Sequence, residues 1–326
     1  SFSSSNEAAP DTYTMRYKVQ GEEIGFKYLH RTHDDKIPET GCGNWTSIHD
    51  ELDGMALVHK PISLTEAYKI EGAKKALDKE WAKLENTELD SNGHSKMCWD
   101  LTRVKPRSQV IKEAKAKGLT THFGRILELC SIKHWELRKA ILEYKGRVCF
   151  RGNDVKTEEG THAVFSEQGT SSSHMSSTKF LDVTARLPGN DGEDSDAVGA
   201  YTQLLLAEAA ELLGMNVIPQ TWITLPRHHR PAWWDTIDDP VCPMVRNLYG
   251  HPLAGLLWEK GSQQRILKCG FEKMKGWESL YIHRAAKLFL GVYVDDFHMS
   301  GRTTSLAPKW AKLKEHIDLD PAVPFS

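Results

Sequence analysis

The chain has 326 residues, of which 40% are hydrophobic and 26% charged, and its formal net charge at pH 7 is −2. This is enough apolar material for a substantial core in one large or two smaller units. No apolar run reaches the length of a membrane span, and the N-terminal residues lack a signal-peptide core. We therefore expect an intracellular protein, cytoplasmic or nuclear, with no membrane association. The six cysteines form no Cys-x-x-Cys pair, which favours reduced thiols over a disulfide framework.

Residues 1–60 begin with a serine-rich stretch and show no sustained hydrophobic period. Composition of this kind is typical of an irregular tail or a linker. Helix signals follow directly, because Ser63-Leu-Thr-Glu66 has the pattern of a capping box. Apolar residues then recur at helical spacing as far as Leu84, which predicts a single helix that ends before Asp90.

Charge is unevenly distributed along the middle of the chain. Residues 101–151 contain thirteen Lys or Arg and four Asp or Glu. Residues 152–196 contain three Lys or Arg and nine Asp or Glu. A basic segment next to an acidic one is expected if phosphates lie over the first and cations over the second. Two solvated faces whose local charges have no function are the alternative. We expect strands and a basic helix within residues 98–152, and a helix from about residue 175 to about Leu187.

The most informative motif is Tyr293-Val-Asp-Asp296, which closes the apolar run 288–294. Continuous apolarity predicts a strand covered on both faces. Phe297-His-Met-Ser300 predicts a return strand, so the two carboxylates would lie at a hairpin tip. Adjacent carboxylates repel each other unless a cation lies between them, and nucleotidyl transfer uses two divalent metal ions at such sites. A solvated turn at a strand end is the alternative.

A third carboxylate from another strand would complete a metal site. Asp196 supplies it on a strand near residues 194–198, with small residues separating it from Tyr201. Taken alone, residues 188–194 instead predict an acidic turn.

The remaining signals place further elements along the chain. A helix from about Leu253 to Cys269 would bury Leu256, Leu257, Ile266 and Leu267. Strands near 279–283 and 287–294 follow, and then a helix around 308–317. His228 and His229, flanked by two arginines, indicate a basic turn that we expect to be solvated.

Four of these motifs occur in an order found in one class of polymerase. Asp196-x-x-x-Ala-Tyr201, the stretch 249–258 and Tyr293-Val-Asp-Asp296 follow one another as in reverse transcriptases. Upstream, Lys145-Gly-Arg-Val-Cys-Phe-Arg-Gly152 is similar to the basic fingers strand. Over about residues 62–326, the chain most resembles the reverse transcriptases of Ty1/copia retrotransposon Pol polyproteins.

The resemblance implies an α+β fold with the fingers and palm of a right-hand polymerase. The palm would be of the ferredoxin-like β-α-β-β-α-β type. Residues 1–60 would form an irregular tail or polyprotein linker, and residues 61–326 the copia-like reverse transcriptase domain. We expect this domain to be incomplete at its C-terminal end, with the last palm strand and the thumb absent and other segments of the polyprotein as partners.

The resemblance also implies an activity, namely RNA-directed DNA polymerisation. The 3′-hydroxyl of a DNA primer on an RNA template would attack a dNTP, with two Mg²⁺ ions, or alternatively Mn²⁺, as cofactors. The resemblance assigns functional roles to two groups of residues in this chain. Asp196, Asp295 and Asp296 would be the catalytic metal ligands, whereas Tyr201 beneath the sugar, Lys145 and Arg147 at the triphosphate, and Tyr293 would bind substrate.

One position departs from the family. Copia-class enzymes carry glutamine where Leu253 stands, and that glutamine contacts the incoming nucleotide. Together with the missing strand and thumb, this departure favours a second hypothesis: a non-catalytic, truncated remnant that folds and binds nucleic acid. The three intact aspartates argue against it.

Overall fold

The computed structural model describes the backbone of two strands, Thr12–Val19 (β1) and Glu22–Leu29 (β2), and residues 59–90, 93–133, 142–165 and 175–325 in full. The chain divides into two compact units, Ser1–Ala56 and Leu57–Ser326. In the first unit, β1 and β2 pair as an antiparallel hairpin, which the sequence did not predict. The other residues up to 58 lie outside the described residues, so a tail or linker stays a prediction.

Seven strands of the second unit form its first sheet. They are β3 (Lys60–Ile62), β4 (Lys105–Pro106), β5 (Thr121–Lys133), β6 (Glu143–Phe150), β7 (Lys156–Thr157), β9 (Gln220–Thr224) and β10 (Pro240–Pro243). The order is β3-β5-β9-β10-β4, and β6 and β7 also pair with β5. β5 thus organises this sheet, because its first half pairs in parallel with β9 and its second half antiparallel with β6.

Three helices accompany this sheet: α1 (Leu64–Ala67), α2 (Glu71–Leu84) and α3 (Arg107–Lys117). The predicted cap is present, since the hydroxyl of Ser63 accepts a hydrogen bond from the backbone N–H of Glu66 at 3.2 Å. The prediction of one continuous helix is wrong, because a turn separates α1 from α2. The break falls at Tyr68, whose hydroxyl donates to the buried carboxylate of Glu128. That is a tertiary contact, which helical periodicity does not encode.

The second sheet has six strands, all paired antiparallel. They are β8 (Asn190–Asp196), β11 (Glu272–Lys273), β12 (Leu280–His283), β13 (Leu288–Tyr293), β14 (Asp296–Arg302) and β15 (Val323–Pro324). Their order is β11-β12-β13-β14-β8-β15. The predicted return strand is therefore present as β14, and the fold is mixed α+β as expected.

Four more helices complete the described chain: α4 (Met175–Ala185), α5 (Ala209–Leu213), α6 (Ala254–Lys268) and α7 (Thr303–Lys314). Six of these elements occur along the chain in the order strand, helix, strand, strand, helix, strand, although they are not all consecutive: β8, α6, β13, β14, α7 and β15. No helix within the described ranges is long and apolar enough to cross a membrane.

Three local expectations are corrected by this sheet. The acidic run that predicted a turn belongs largely to β8, because backbone pairing with β14 and β15 on its two sides outweighs the low strand propensity of Asp and Gly. The expected absence of a last strand would leave the outer edge of β8 unpaired, but β15 pairs with it at Asp194 and Glu193. Leu267 is 41% exposed rather than buried, whereas Leu256, Leu257 and Ile266 are in the core as predicted.

The first sheet meets the segment that precedes α6 through a very close approach of backbone. The N–H of Phe150, at the end of β6, donates to the carbonyl of Tyr249 at 2.7 Å. A Cβ at Gly152 would lie 2.1 Å from the carbonyl oxygen of Gly250, and a Cβ at Gly250 would lie 2.0 Å from that of Phe150. No side chain fits between these segments, so glycine is required on both sides.

Gly152→Ala tests this contact. We expect the free energy of unfolding to fall by about 2–3 kcal/mol, because the added methyl group meets backbone that has no room to shift. Gly160→Ala is the control, since a Cβ there meets nothing within 4 Å and its only cost is the positive φ of 81°, about 1 kcal/mol. Urea denaturation measures both. Equal losses in the two variants would contradict the close approach.

Candidate active site

The pairing of two strands brings the predicted carboxylates together. Asp196, the last residue of β8, lies directly opposite Asp296, the first residue of β14. The backbone N–H of Ala197 donates to the carbonyl of Asp295 at 2.8 Å, which extends the pairing by one residue. All three aspartates therefore lie at the same end of the second sheet.

Val294 and Asp295 form the tight turn between β13 and β14. Val294 has φ 57°, a conformation that is a true outlier for a β-branched residue. Hairpin turns of this length favour glycine or asparagine where φ is positive. The indole N–H of Trp258, a buried residue of α6, donates to the carbonyl of Val294 at 2.5 Å and holds the turn in place. Local strain of this kind concentrates at functional sites.

The carboxylates repel one another. Burial, followed by the charges of Asp295 and Asp196, raises the pKa of Asp296 above its ordinary value. The ligand atoms of the three aspartates do not all lie within 4.8 Å of one another. Carboxylate oxygens are the ligands that Mg²⁺ prefers. The chemistry of the donor set thus fits the divalent cation that the sequence predicts, although His298 offsets part of the negative charge on Asp296.

Aromatic rings connect this turn to the basic strand β6. Tyr201 and Tyr249 pack edge to face, with ring centroids 4.4 Å apart. The guanidinium of Arg147 lies over the ring of Tyr249, 5.4 Å from its centroid. Burial raises the pKa of each tyrosine, and the negative charge of Asp295 raises it further. Arg147, the two tyrosines and Asp295 are therefore neighbours in one site.

The other two predicted substrate-binding residues lie at its margins. Lys145 precedes Arg147 by two residues on β6, so the two share a face of the strand. Burial, with the nearby charges of Arg147 and Lys133, lowers the pKa of Lys145. Tyr293 ends β13 opposite Asp296 and is 51% exposed.

Leu253 begins α6 and packs against the core of the second sheet. Its backbone N–H donates to Nδ1 of His251 at 3.3 Å, and Nε2 of His251 lies 3.4 Å from the hydroxyl of Thr221. Burial, with a smaller effect of His122, lowers the pKa of His251 to about 3. His251 is therefore a neutral residue that supports the turn before α6.

A cleft of about 540 Å³ lies in the first sheet. Five basic side chains line it, against two acidic ones, Asp154 and Asp239. Arg107 is paired with Asp239 at 2.6 Å. The basic residues are Arg107, Arg125, Lys156, Arg227 and Arg230. Because basic side chains outnumber acidic ones, the cleft is suited to bind phosphate groups.

Sequence reasoning assigned no role to three residues that support this site. Tyr249 and Trp258 were visible only as the first and last residues of the motif 249–258. Arg246 is 2% exposed and donates to Asp90 at 2.6 Å and to the carbonyl of Thr202 at 3.1 Å. It thereby holds the turn that carries Tyr201. A basic residue in an apolar run was its only signal.

No model of a known protein family matches the chain, and no curated protein matches it. Among solved structures, the chain is similar to the foamy viral protease-reverse transcriptase in complex with double-stranded DNA. The match has 13% sequence identity and a TM-score of 0.32, and it covers 95% of this chain and 51% of that one. The protein thus spans about half the length of that structure. A similarity this weak does not establish a shared fold.

Val294→Gly tests the strain in the turn. We expect the free energy of unfolding to rise by about 1 kcal/mol, since relief of strain outweighs the greater chain entropy of glycine. Val323→Gly is the control, because Val323 is also more than a third exposed and lies in a strand without a positive φ. The free energy of unfolding of the Val323→Gly variant should fall. A fall in both variants, measured by thermal denaturation, would show that the turn is relaxed.

Proposed function

We propose that the protein is an RNA-directed DNA polymerase domain of the copia-like kind, acting by two-metal nucleotidyl transfer. The observation that carries this proposal is the register of β8 and β14, with Asp196 opposite Asp296 and Asp295 in the adjoining turn. The three aspartates lie at one end of the second sheet, beside a basic strand and two tyrosines. The low structural similarity to a reverse transcriptase adds nothing to this argument.

Each residue has a physical role in the proposed reaction. Asp196, Asp295 and Asp296 would hold two Mg²⁺ ions, whose chemistry is to stabilise negative charge on the attacking and leaving oxygens. Arg147, fixed over the ring of Tyr249, would bind the triphosphate together with Lys145. Tyr201, packed against Tyr249, would lie beneath the sugar and exclude a ribose 2′-hydroxyl.

The proposed partners are an RNA template, a DNA primer and a dNTP, inside the cell. The basic cleft supports a polynucleotide partner despite the net charge of −2. Contacts through phosphates position a nucleic acid without reading its sequence. We therefore propose little template specificity.

One observation favours a non-catalytic role instead. The side chain of Leu253 packs against the apolar core, and leucine cannot make the polar nucleotide contact that the family's glutamine makes. A protein of this second kind would bind nucleic acid without extending a primer.

Asp295→Asn tests the catalytic proposal. With flanking polyprotein sequence added, we expect the wild-type chain to extend a DNA primer on an RNA template with Mg²⁺ and dNTPs, whereas the present chain alone should do so poorly or not at all. The variant should lose activity on the order of 100-fold or more, the size found when one group that stabilises developing charge is removed. Primer extension resolved on a gel measures both rates.

Asp235→Asn is the matched control, because Asp235 is exposed and lies away from the second sheet. It should leave extension unchanged. Nucleic-acid binding by the wild-type chain without extension, in this form and with flanking polyprotein sequence added, would decide for the non-catalytic role.

A second prediction concerns the basic cleft. The double variant Arg125→Gln/Arg227→Gln should weaken binding to single-stranded RNA and lower the slope of log affinity against log salt by about 0.7 for each lost phosphate contact. Lys268→Gln/Lys275→Gln removes the same charge from exposed positions outside the cleft. Fluorescence anisotropy at several salt concentrations measures the slopes. Equal slopes for the two double variants would exclude the cleft as a binding surface.

A further inference from the structure

A second cluster of possible metal ligands lies away from the aspartates, in the first sheet. Within the described ranges, it is the one group of three His, Cys, Asp or Glu residues whose ligand atoms all lie within 4.8 Å of one another. Its members are Glu128, from the middle of β5, and His228 and His229, from the turn after β9. The basic turn that we expected to be solvated is therefore folded back onto a buried carboxylate.

The spacing of these atoms is that of ligands around one ion. Nε2 of His228 lies 3.1 Å from one oxygen of Glu128, and Nε2 of His229 lies 3.4 Å from the other. Ligands at ordinary zinc bond lengths in a tetrahedron lie about 3.3 Å apart. Both imidazoles present the same nitrogen to the same carboxylate, as two ligands of one ion would.

Neighbouring side chains fix all three groups in this arrangement. The indole N–H of Trp81 donates to Glu128 at 2.7 Å, and the hydroxyl of Tyr68 donates to the same oxygen. The ring of His229 stacks on Trp81, with centroids 3.6 Å apart and planes 17° apart. The ring of His228 meets Tyr68 edge to face. Supporting contacts of this kind orient the ligands of protein metal sites.

The burial pattern also suits an ion with an open position. The side chain of Glu128 is 2% exposed and that of His229 is 19% exposed, whereas that of His228 is 51% exposed. A buried carboxylate needs partners, but Tyr68 and Trp81 already supply two donors. Both of these donate to Oε1, which His229 also approaches, whereas His228 is the partner of Oε2. His229 therefore exceeds what the two lone pairs of Oε1 require.

We propose that Glu128, His228 and His229 bind a Zn²⁺ ion, with water in the fourth position. Two imidazole nitrogens and one carboxylate are a ligand set that suits zinc and not magnesium or calcium. The ion would join β5 to the turn at 227–229, which also carries the cleft residue Arg227. This site is independent of the proposed polymerase function.

Zinc titration of the full chain tests the proposal, with calorimetry as the readout. His228→Gln is the main variant, because the exposure of His228 leaves the fold little dependent on it. We expect it to bind at this site at least about tenfold more weakly than wild type, as His229→Gln should also do. Co²⁺ provides a second readout, since four-coordinate cobalt gives intense visible absorption, which His228→Gln should lose.

Two controls separate this site from others. His162→Gln removes an exposed histidine outside the cluster, and Asp295→Asn removes a ligand of the proposed magnesium site. Both should bind Zn²⁺ as wild type does. Zinc binding that is unchanged in His228→Gln, or absent from the wild-type chain, would overturn the proposal and leave the cluster as a buried hydrogen-bonded ion pair.

Discussion

The pairing of β8 with β14 is the constraint on which the candidate active site depends. It fixes Asp196 against Asp296 by backbone hydrogen bonds, so the side chains have no freedom to separate by a change of register. The cost is burial of Asp296 and its repulsion by Asp295 and Asp196, which together raise its pKa. The strained Val294 adds to that cost, and the buried Trp258 holds the turn against it. The fold therefore maintains an arrangement that is electrostatically unfavourable for Asp296.

The pKa values of two carboxylates, Glu128 and Asp296, are shifted in opposite directions by their surroundings. Burial alone would raise the pKa of Glu128, but hydrogen bonds from His229, Tyr68 and Trp81 outweigh it and lower that pKa to about 2. Asp296 is partly buried among other acids, and burial together with the charges of Asp295 and Asp196 raises its pKa. The difference arises from the neighbours, because donors stabilise the charged form and like charges oppose it.

The first sheet is joined to the segment before α6 by direct contact of their backbones. Gly152 and Gly250 allow the end of β6 to reach the segment that carries Tyr249. Through this contact Arg147, on the first sheet, comes to lie over Tyr249 and near the aspartates of the second sheet. A side chain at either glycine would push the basic strand away from the carboxylates. The geometry of the candidate active site thus depends on two residues that do not face it.

The sequence by itself determined the elements whose signals are local. The apolar run before Asp295, the return strand and the cap at Ser63 could all be predicted, because each depends on neighbouring residues. The break at Tyr68, the strand made from the acidic run, the edge strand β15 and the folding of His228 and His229 onto Glu128 could not. Each of these depends on a partner that is distant in sequence. Only the tertiary structure brings such partners together, because strand pairing and burial override local propensity.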